Sequence, residues 1–402
     1  MKNACFYCQK NARKNYQSVR LPYLESLRGV AAIFVLLNHL SCVFWNNLYT
    51  EQISATAFEK LWIKSPLNAI TNGNLPVQFF FVLSGFLITR NVYTKPAGNG
   101  LRTIRKKYTG LLKLIIPGIL FSFLLMRFGL MFHQKALVLD ESLSFVKYYN
   151  NFYPSLVSVP LDIGKTFVSG SDYNGPLWTM HFELLGSLFV TVIAAFVFQS
   201  VKGFWPRKLA YVLFYVPLCF INLNYGAFLL GALTYDLYSY LSQTEQQAPA
   251  LFLRLHSKSG KWILLLLGLY FATINMNTTG IWYPFHLLSR FASQIRAFGV
   301  CLCLVVLMLS KKCQSALSIS FFVRLGKLSR YIYIFHWPIV LSAGCFVYLR
   351  LSGRLARPLL LALIVLVCIL LTLAVSALYD YAERKLTAIW QRHSGFLPSA
   401  QG

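Results

Sequence analysis

Long apolar runs separated by short polar segments make up most of this chain. Runs of bilayer-crossing length occur at about residues 29–45, 75–90, 110–132, 177–199, 209–222, 225–241, 262–276, 293–310, 331–349 and 358–379. A helix crosses the hydrocarbon layer in about 20 residues. The pattern therefore predicts an all-α polytopic membrane protein of about ten transmembrane helices, with no visible internal repeat. The expected organisation is a tail over residues 1–23, a membrane domain over 24–380 and a second tail over 381–402. The longest polar interruption, about 133–175, carries Asp140, Glu141, Asp162 and Asp172 among tyrosines and prolines. It reads as an ordered external loop, suited to a lid or an acceptor surface.

Composition agrees with this pattern. The 402 residues are 56% hydrophobic, 16% aromatic and only 12% charged, with a mean hydropathy of +0.55, which excludes a soluble globular domain. A net charge of +26 would suit a nucleic-acid binder, but the cations sit between apolar runs rather than on one amphipathic face. They read as topology determinants and anion contacts, with no nucleic-acid partner. Counted segment by segment, 27 of the 38 Lys and Arg residues fall on one side of the predicted bundle. Positive charge favours the cytoplasm, so both termini are expected there. Arg350, Arg354 and Arg357 run against that trend, in a short loop assigned to the outside. The first twenty residues carry cations but no apolar core, so no cleavable signal is expected. Nine scattered cysteines imply no disulfide framework, and the single Cys5–Cys8 pair carries no metal or redox assignment. HExxH, Walker A and dinucleotide-binding patterns are absent, so neither a metal nor a bound cofactor is expected.

The chemistry concentrates where ionisable groups interrupt apolar helix. Arg28 and His39 lie in the first run, separated by roughly 16 Å of helix axis, about half the hydrocarbon thickness. Groups at such depth face a bundle interior and mark functional pathways. Glu183 lies roughly 8 to 10 Å inside the outer end of the fourth helix, at a depth comparable with His39. A carboxylate beside an imidazole fixes its tautomer and raises its basicity, so a His39–Glu183 pair is expected. Ser84-Gly85 reads as a close-packing patch. Arg90 reaches the same face as Arg28, followed by Arg105, Lys106 and Lys107, and such cations suit the phosphates of a cytosolic ligand. His336 precedes Trp337-Pro338, and the helix-kinking proline would let it line a cavity. His181 stands two residues before Glu183, on a different helix face.

These stretches together resemble acyltransferase family 3, a family of integral membrane acyltransferases. The likeness runs through Leu24-Glu25-Ser26-Leu27-Arg28-Gly29, the Arg28-to-His39 spacing, Phe80-Phe81-Val82-Leu83-Ser84-Gly85-Phe86-Leu87-Ile88, and Pro176-Leu177-Trp178 with Glu183 following. It continues through Leu325-Gly326-Lys327-Leu328-Ser329 and His336-Trp337-Pro338 to Glu383-Arg384. The resemblance implies acyl transfer, often of acetyl, from cytosolic acyl-CoA as co-substrate to a hydroxyl of a glycan or glycolipid, in a plasma or inner membrane. Glycan-assembly proteins are possible partners. His39 is the implied catalytic histidine, and Glu183 is assigned beside it. Arg28, Arg90, Arg105, Lys106 and His336 are assigned to the donor, and Trp178 and His181 to the acceptor side. Leu184 stands where many members have a second Glu, His181 where many have Ser, and no Pro follows Glu383-Arg384. The hydrolase-like carboxy-terminal domain of many members is absent, so a stand-alone form is expected. Intramembrane His, Arg and Glu suit a proton-coupled exporter of a small anion or lipid-linked sugar equally well, and an inactive relative is a third reading.

Overall fold

The computed structural model describes residues 21–48, 56–94, 100–243, 257–275 and 279–393. The Cys5–Cys8 pair and the outer parts of both tails lie outside the described residues. Among the described residues, ten long helices stand where the apolar runs predict them, and there is no strand. They are α1 (Pro22–Phe44), α2 (Asn74–Thr94), α3 (Gly100–Arg127), α4 (Thr179–Ser200), α5 (Phe204–Ile221), α6 (Leu223–Gln243), α7 (Lys258–Ala272), α8 (Ala292–Leu309), α9 (Ser320–Ile339) and α10 (Arg357–His393). Eight of the described segments are long and apolar enough to cross a membrane, and α6 and α7 fall outside that set. For α7 the reason is its length of 15 residues. For α6 it is polarity: packed against α2, α4, α5 and α8, it exposes no residue between Leu223 and Tyr240. Its Asn224, Thr234 and Asp236 therefore face protein instead of lipid, and its wall needs no lipid-grade hydropathy.

One end of the bundle gathers the starts of α1, α5 and α9 with the ends of α2, α6, α8 and α10. Tyr23 reaches Met308 there at 3.5 Å, Tyr93 donates to Asp236 at 2.7 Å, Lys208 pairs with Asp236, and Tyr331 donates to Glu383. The other end carries the loop of residues 133–175. That loop is ordered, as expected, with short helices at His133–Leu139 and Ser158–Thr166. Buried Asp162 ties its turns together by accepting from Ser171 Oγ at 2.5 Å and the Asp172 N–H at 2.7 Å. Asp140 accepts from Tyr348 and from the Ser142 N–H. Burial works against the ionised Asp140, but these bonds and the nearby Arg357 outweigh it and hold the carboxyl below its usual range.

Apolar side chains gain nothing by leaving lipid for a helix interface, so membrane helices associate through close packing and small residues. The extensive α1–α9 contact rests on Gly29 and Gly326. A Cβ at Gly29 would lie 2.6 Å from the Gly326 nitrogen, and one at Gly326 would lie 2.2 Å from the Glu25 carbonyl oxygen. Both helices start at the same end and run parallel from this crossing. Gly85 makes a comparable approach between α2 and α6, where a Cβ would meet the Phe228 carbonyl at 1.8 Å.

Pro338 lies inside α9 and lacks the N–H that would bond the Ile334 carbonyl one turn back. That buried carbonyl accepts instead from Asn174 Nδ2, at 2.8 Å, and Asn174 is itself fully buried. Just beyond, a π-helical turn over Val340–Gly344 coincides with a Leu341 carbonyl that accepts from the Phe132 N–H at 3.1 Å. The helix irregularity and the loop thus satisfy each other.

Two outcomes are expected. Gly326→Ala forces α1 and α9 apart and lowers stability by about 1–3 kcal/mol, read as a lower melting temperature of the protein in detergent. Asn174→Ala leaves the Ile334 carbonyl buried and unpaired, at a cost of about 1–3 kcal/mol; hydrogen exchange around residues 170–178 should rise with it.

Candidate active site

Ten residues beyond the glycine crossing on each helix stand His39 of α1 and His336 of α9. Their rings meet, with His39 Nδ1 3.1 Å from His336 Nε2 and centroids 5.0 Å apart. His39 is half-buried and His336 is fully buried. Each Nδ1 also faces a backbone carbonyl one turn back, Val35 for His39 at 2.9 Å and Ile332 for His336 at 3.1 Å. A carbonyl can only accept, so both Nδ1 atoms carry protons in the neutral pair. His336 Nε2 then holds a lone pair and shares the His39 Nδ1 proton with the Val35 carbonyl. The consequence is that the bare lone pair of His39 is on Nε2.

Aromatic groups enclose the pair. Trp337 lies 5.1 Å from the His39 ring and Tyr333 5.9 Å from the His336 ring. Tyr149 and Phe145 from the loop of residues 133–175 pack edge-on against Trp337 at 4.8 and 6.3 Å. Tyr333 donates to the Pro176 carbonyl at 2.6 Å and meets Thr179 Oγ1 at 2.6 Å, which draws in the turn leading to α4. This turn and the Asn174 bond bring the Pro176-Leu177-Trp178 and His336-Trp337-Pro338 stretches to one place.

Toward the end where α1 starts lies a charged cluster. Glu183 Oε1 accepts from Ser84 Oγ at 2.7 Å and is ion-paired with Lys107. Arg28 lies within the electrostatic field of Glu183, Glu25 and Arg330. The expected His39–Glu183 pair is therefore not formed. α4 packs on α2 and α3, which supply Ser84 and Lys107, whereas α1 lies along α9, which supplies His336.

The other assigned residues divide by position. Arg90 is half-buried near the end of α2, close to Tyr23. Arg105 and Lys106 are exposed on α3, and Lys107 is the member of that run turned toward Glu183. His336, expected to bind the donor, has both ring nitrogens engaged in the pair with His39 and the Ile332 carbonyl. Trp178 is partly exposed near the loop, with its ring edge-on to Phe182 at 5.7 Å. His181 donates from Nδ1 to the Phe167 carbonyl at 2.8 Å and accepts at Nε2 from Tyr225 at 3.2 Å, tying the loop to α4 and α6. Ser84 and Lys107, expected from the sequence as a packing residue and as one of a run of phosphate-suited cations, are the two residues that engage the Glu183 carboxylate. Among the described residues, no group of three or more His, Cys, Asp or Glu side chains could hold a metal ion.

Comparison with curated proteins and with solved structures yields no match. Comparison with protein families matches residues 21–378 to the acyltransferase family 3 domain, described as an acyltransferase domain. That span takes in Arg28, Ser84, Lys107, Glu183 and the His39–His336 pair, and the chain belongs to this family of membrane acyltransferases.

Proposed function

We propose that this protein transfers an acyl group, most simply acetyl, from cytosolic acyl-CoA to a hydroxyl of a glycan or glycolipid, with His39 Nε2 as the general base. The observation that carries this reading is the His39–His336 pair, which leaves that one nitrogen with a lone pair. His39 takes the proton of the acceptor hydroxyl as its oxygen attacks the thioester carbonyl. The new C–O bond forms, the C–S bond breaks, and the proton passes from His39 to the departing thiolate. While His39 is protonated, its Nδ1–H points at the His336 lone pair, so His336 supplies the orienting partner that a carboxylate supplies elsewhere.

The charged cluster suits the donor. Arg28 and Lys107 place cations near the end of the bundle that the positive-inside bias assigns to the cytoplasm, where coenzyme A phosphates would arrive. Guanidinium groups hold phosphates through paired hydrogen bonds. An extended pantetheine arm covers the roughly 16 Å from Arg28 to His39. Glu183 keeps Lys107 in place and offsets part of the buried positive charge. The external loop then meets the acceptor on the opposite face of a plasma or inner membrane.

The test is transfer of label from radiolabelled acetyl-CoA to a glycan or glycolipid fraction in membranes containing the protein. His39→Ala should lower transfer by about 10²–10⁴-fold with membrane expression unchanged, and retained transfer would overturn the assignment. His336→Gln can place an amide oxygen where Nε2 stands, and should keep most of the activity. His336→Leu cannot, and should lose about 10–100-fold in kcat with an altered pH–rate profile. Equal losses in both His336 variants at an unchanged pH profile would reduce that histidine to packing.

A further inference from the structure

An apolar crevice opens on another side of the bundle and shares no residue with the histidine pair or the charged cluster. Its cavity of about 470 Å³ lies between α5, α6, α7 and α8. Leu229 and Leu233 of α6 and Tyr211 of α5 form its inner wall, with Leu229 and Tyr211 fully buried. Val212 of α5 and Phe298 of α8 stand at its mouth, 48% and 47% exposed on segments apolar enough to cross a membrane. What borders that mouth in a membrane is hydrocarbon.

Two further observations define the occupant. The first is length. Gln294 of α8 sits level with Leu223 at the start of α6, to whose carbonyl its Nε2 donates at 2.6 Å. From Leu223 to Leu233 the helix rises about 15 Å, half of the ~30 Å hydrocarbon layer. The crevice therefore reaches from the loop end of the bundle to the bilayer midplane, the depth of a single leaflet. The second is polarity. Gln294 lines the crevice at its loop end, is only 8% exposed, and its buried Oε1 has no hydrogen-bond partner among the described residues. Since the Leu223 carbonyl can only accept, the amide orientation is settled, and Oε1 is the atom left without a donor. A buried acceptor without a partner is costly unless something supplies the donor.

We propose that the crevice is a lipid site. It holds one acyl chain of a glycerophospholipid from the leaflet at the loop end, and an O–H or N–H of the lipid head region donates to Gln294 Oε1. The chain fills a slot lined by leucine and aromatic side chains, and the amide oxygen selects a head group that carries a hydrogen-bond donor. A lipid seated there binds α5 to α8 across the gap.

The test is mass spectrometry of phospholipid retained by the detergent-purified full-length protein. The wild type should keep a stoichiometric phospholipid through extensive detergent washing. Val212→Trp, which plugs the mouth from a half-exposed position, and Leu233→Trp, which fills the slot, should each lower retention roughly tenfold. Gln294→Leu should remove the preference for ethanolamine- and glycerol-headed phospholipids over choline-headed ones, which carry no head-group donor. Melting temperature is followed in parallel, and if Leu233→Trp fails to fold, Val212→Trp decides alone. Unchanged retention in a folded Val212→Trp protein would overturn the proposal. So would a bound polyprenyl lipid in place of a phospholipid, or the absence of retained lipid from the wild type.

Discussion

The glycine crossing of α1 and α9 is the constraint on which the rest of the site depends. With no hydrophobic drive to press helices together inside a bilayer, the two backbones stay in contact only because neither Gly29 nor Gly326 carries a side chain. From that point both helices run parallel and rise equally, so ten residues on, about 15 Å deeper, each delivers its histidine to the same level. The 3.1 Å His39–His336 contact is the product of matched spacing on two helices, one near each end of the sequence.

The same pair explains why the loop of residues 133–175 is built as it is. Proline in α9 removes a helix hydrogen bond and leaves the Ile334 carbonyl buried, and Asn174 of the loop satisfies it. Tyr149 and Phe145 then close over Trp337, the residue between His336 and Pro338. Loop, kink and histidines form one packed unit, with loop aromatics packed against the tryptophan that adjoins His336. A movement of the loop would be felt at His336 through the Asn174 bond and the tryptophan packing.

Charge is handled separately from basicity. The carboxylate of Glu183 is engaged with Ser84 and Lys107, and the histidine pair is held by carbonyls and by itself. The group that meets His39 Nδ1 is thus a second imidazole and not a carboxylate. Glu183 and Glu25 share that end of the bundle with Arg28, Arg330 and Lys107.

The apolar runs alone established the helices, and Arg28 and His39 stood out because an ionisable group deep in such a run requires a reason. The family likeness was legible for the same cause: its motifs are the places where polar residues and glycines interrupt apolar helix. Partner choice was not legible. Helical periodicity says which residues share a face, but the chain does not state which face meets which helix, so Glu183 looked like the partner of His39 until α9 proved to lie beside it. Among Arg105, Lys106 and Lys107, each step of about 100° around the helix turns a new cation inward, and only the packing of α3 on α4 selects Lys107. The sequence by itself determined the membrane architecture and the family, because burial in lipid is a local property of each segment. The tertiary structure decided the tautomer of His39, the partner of Glu183 and the anchoring of the loop, because each depends on contacts between segments far apart in the chain.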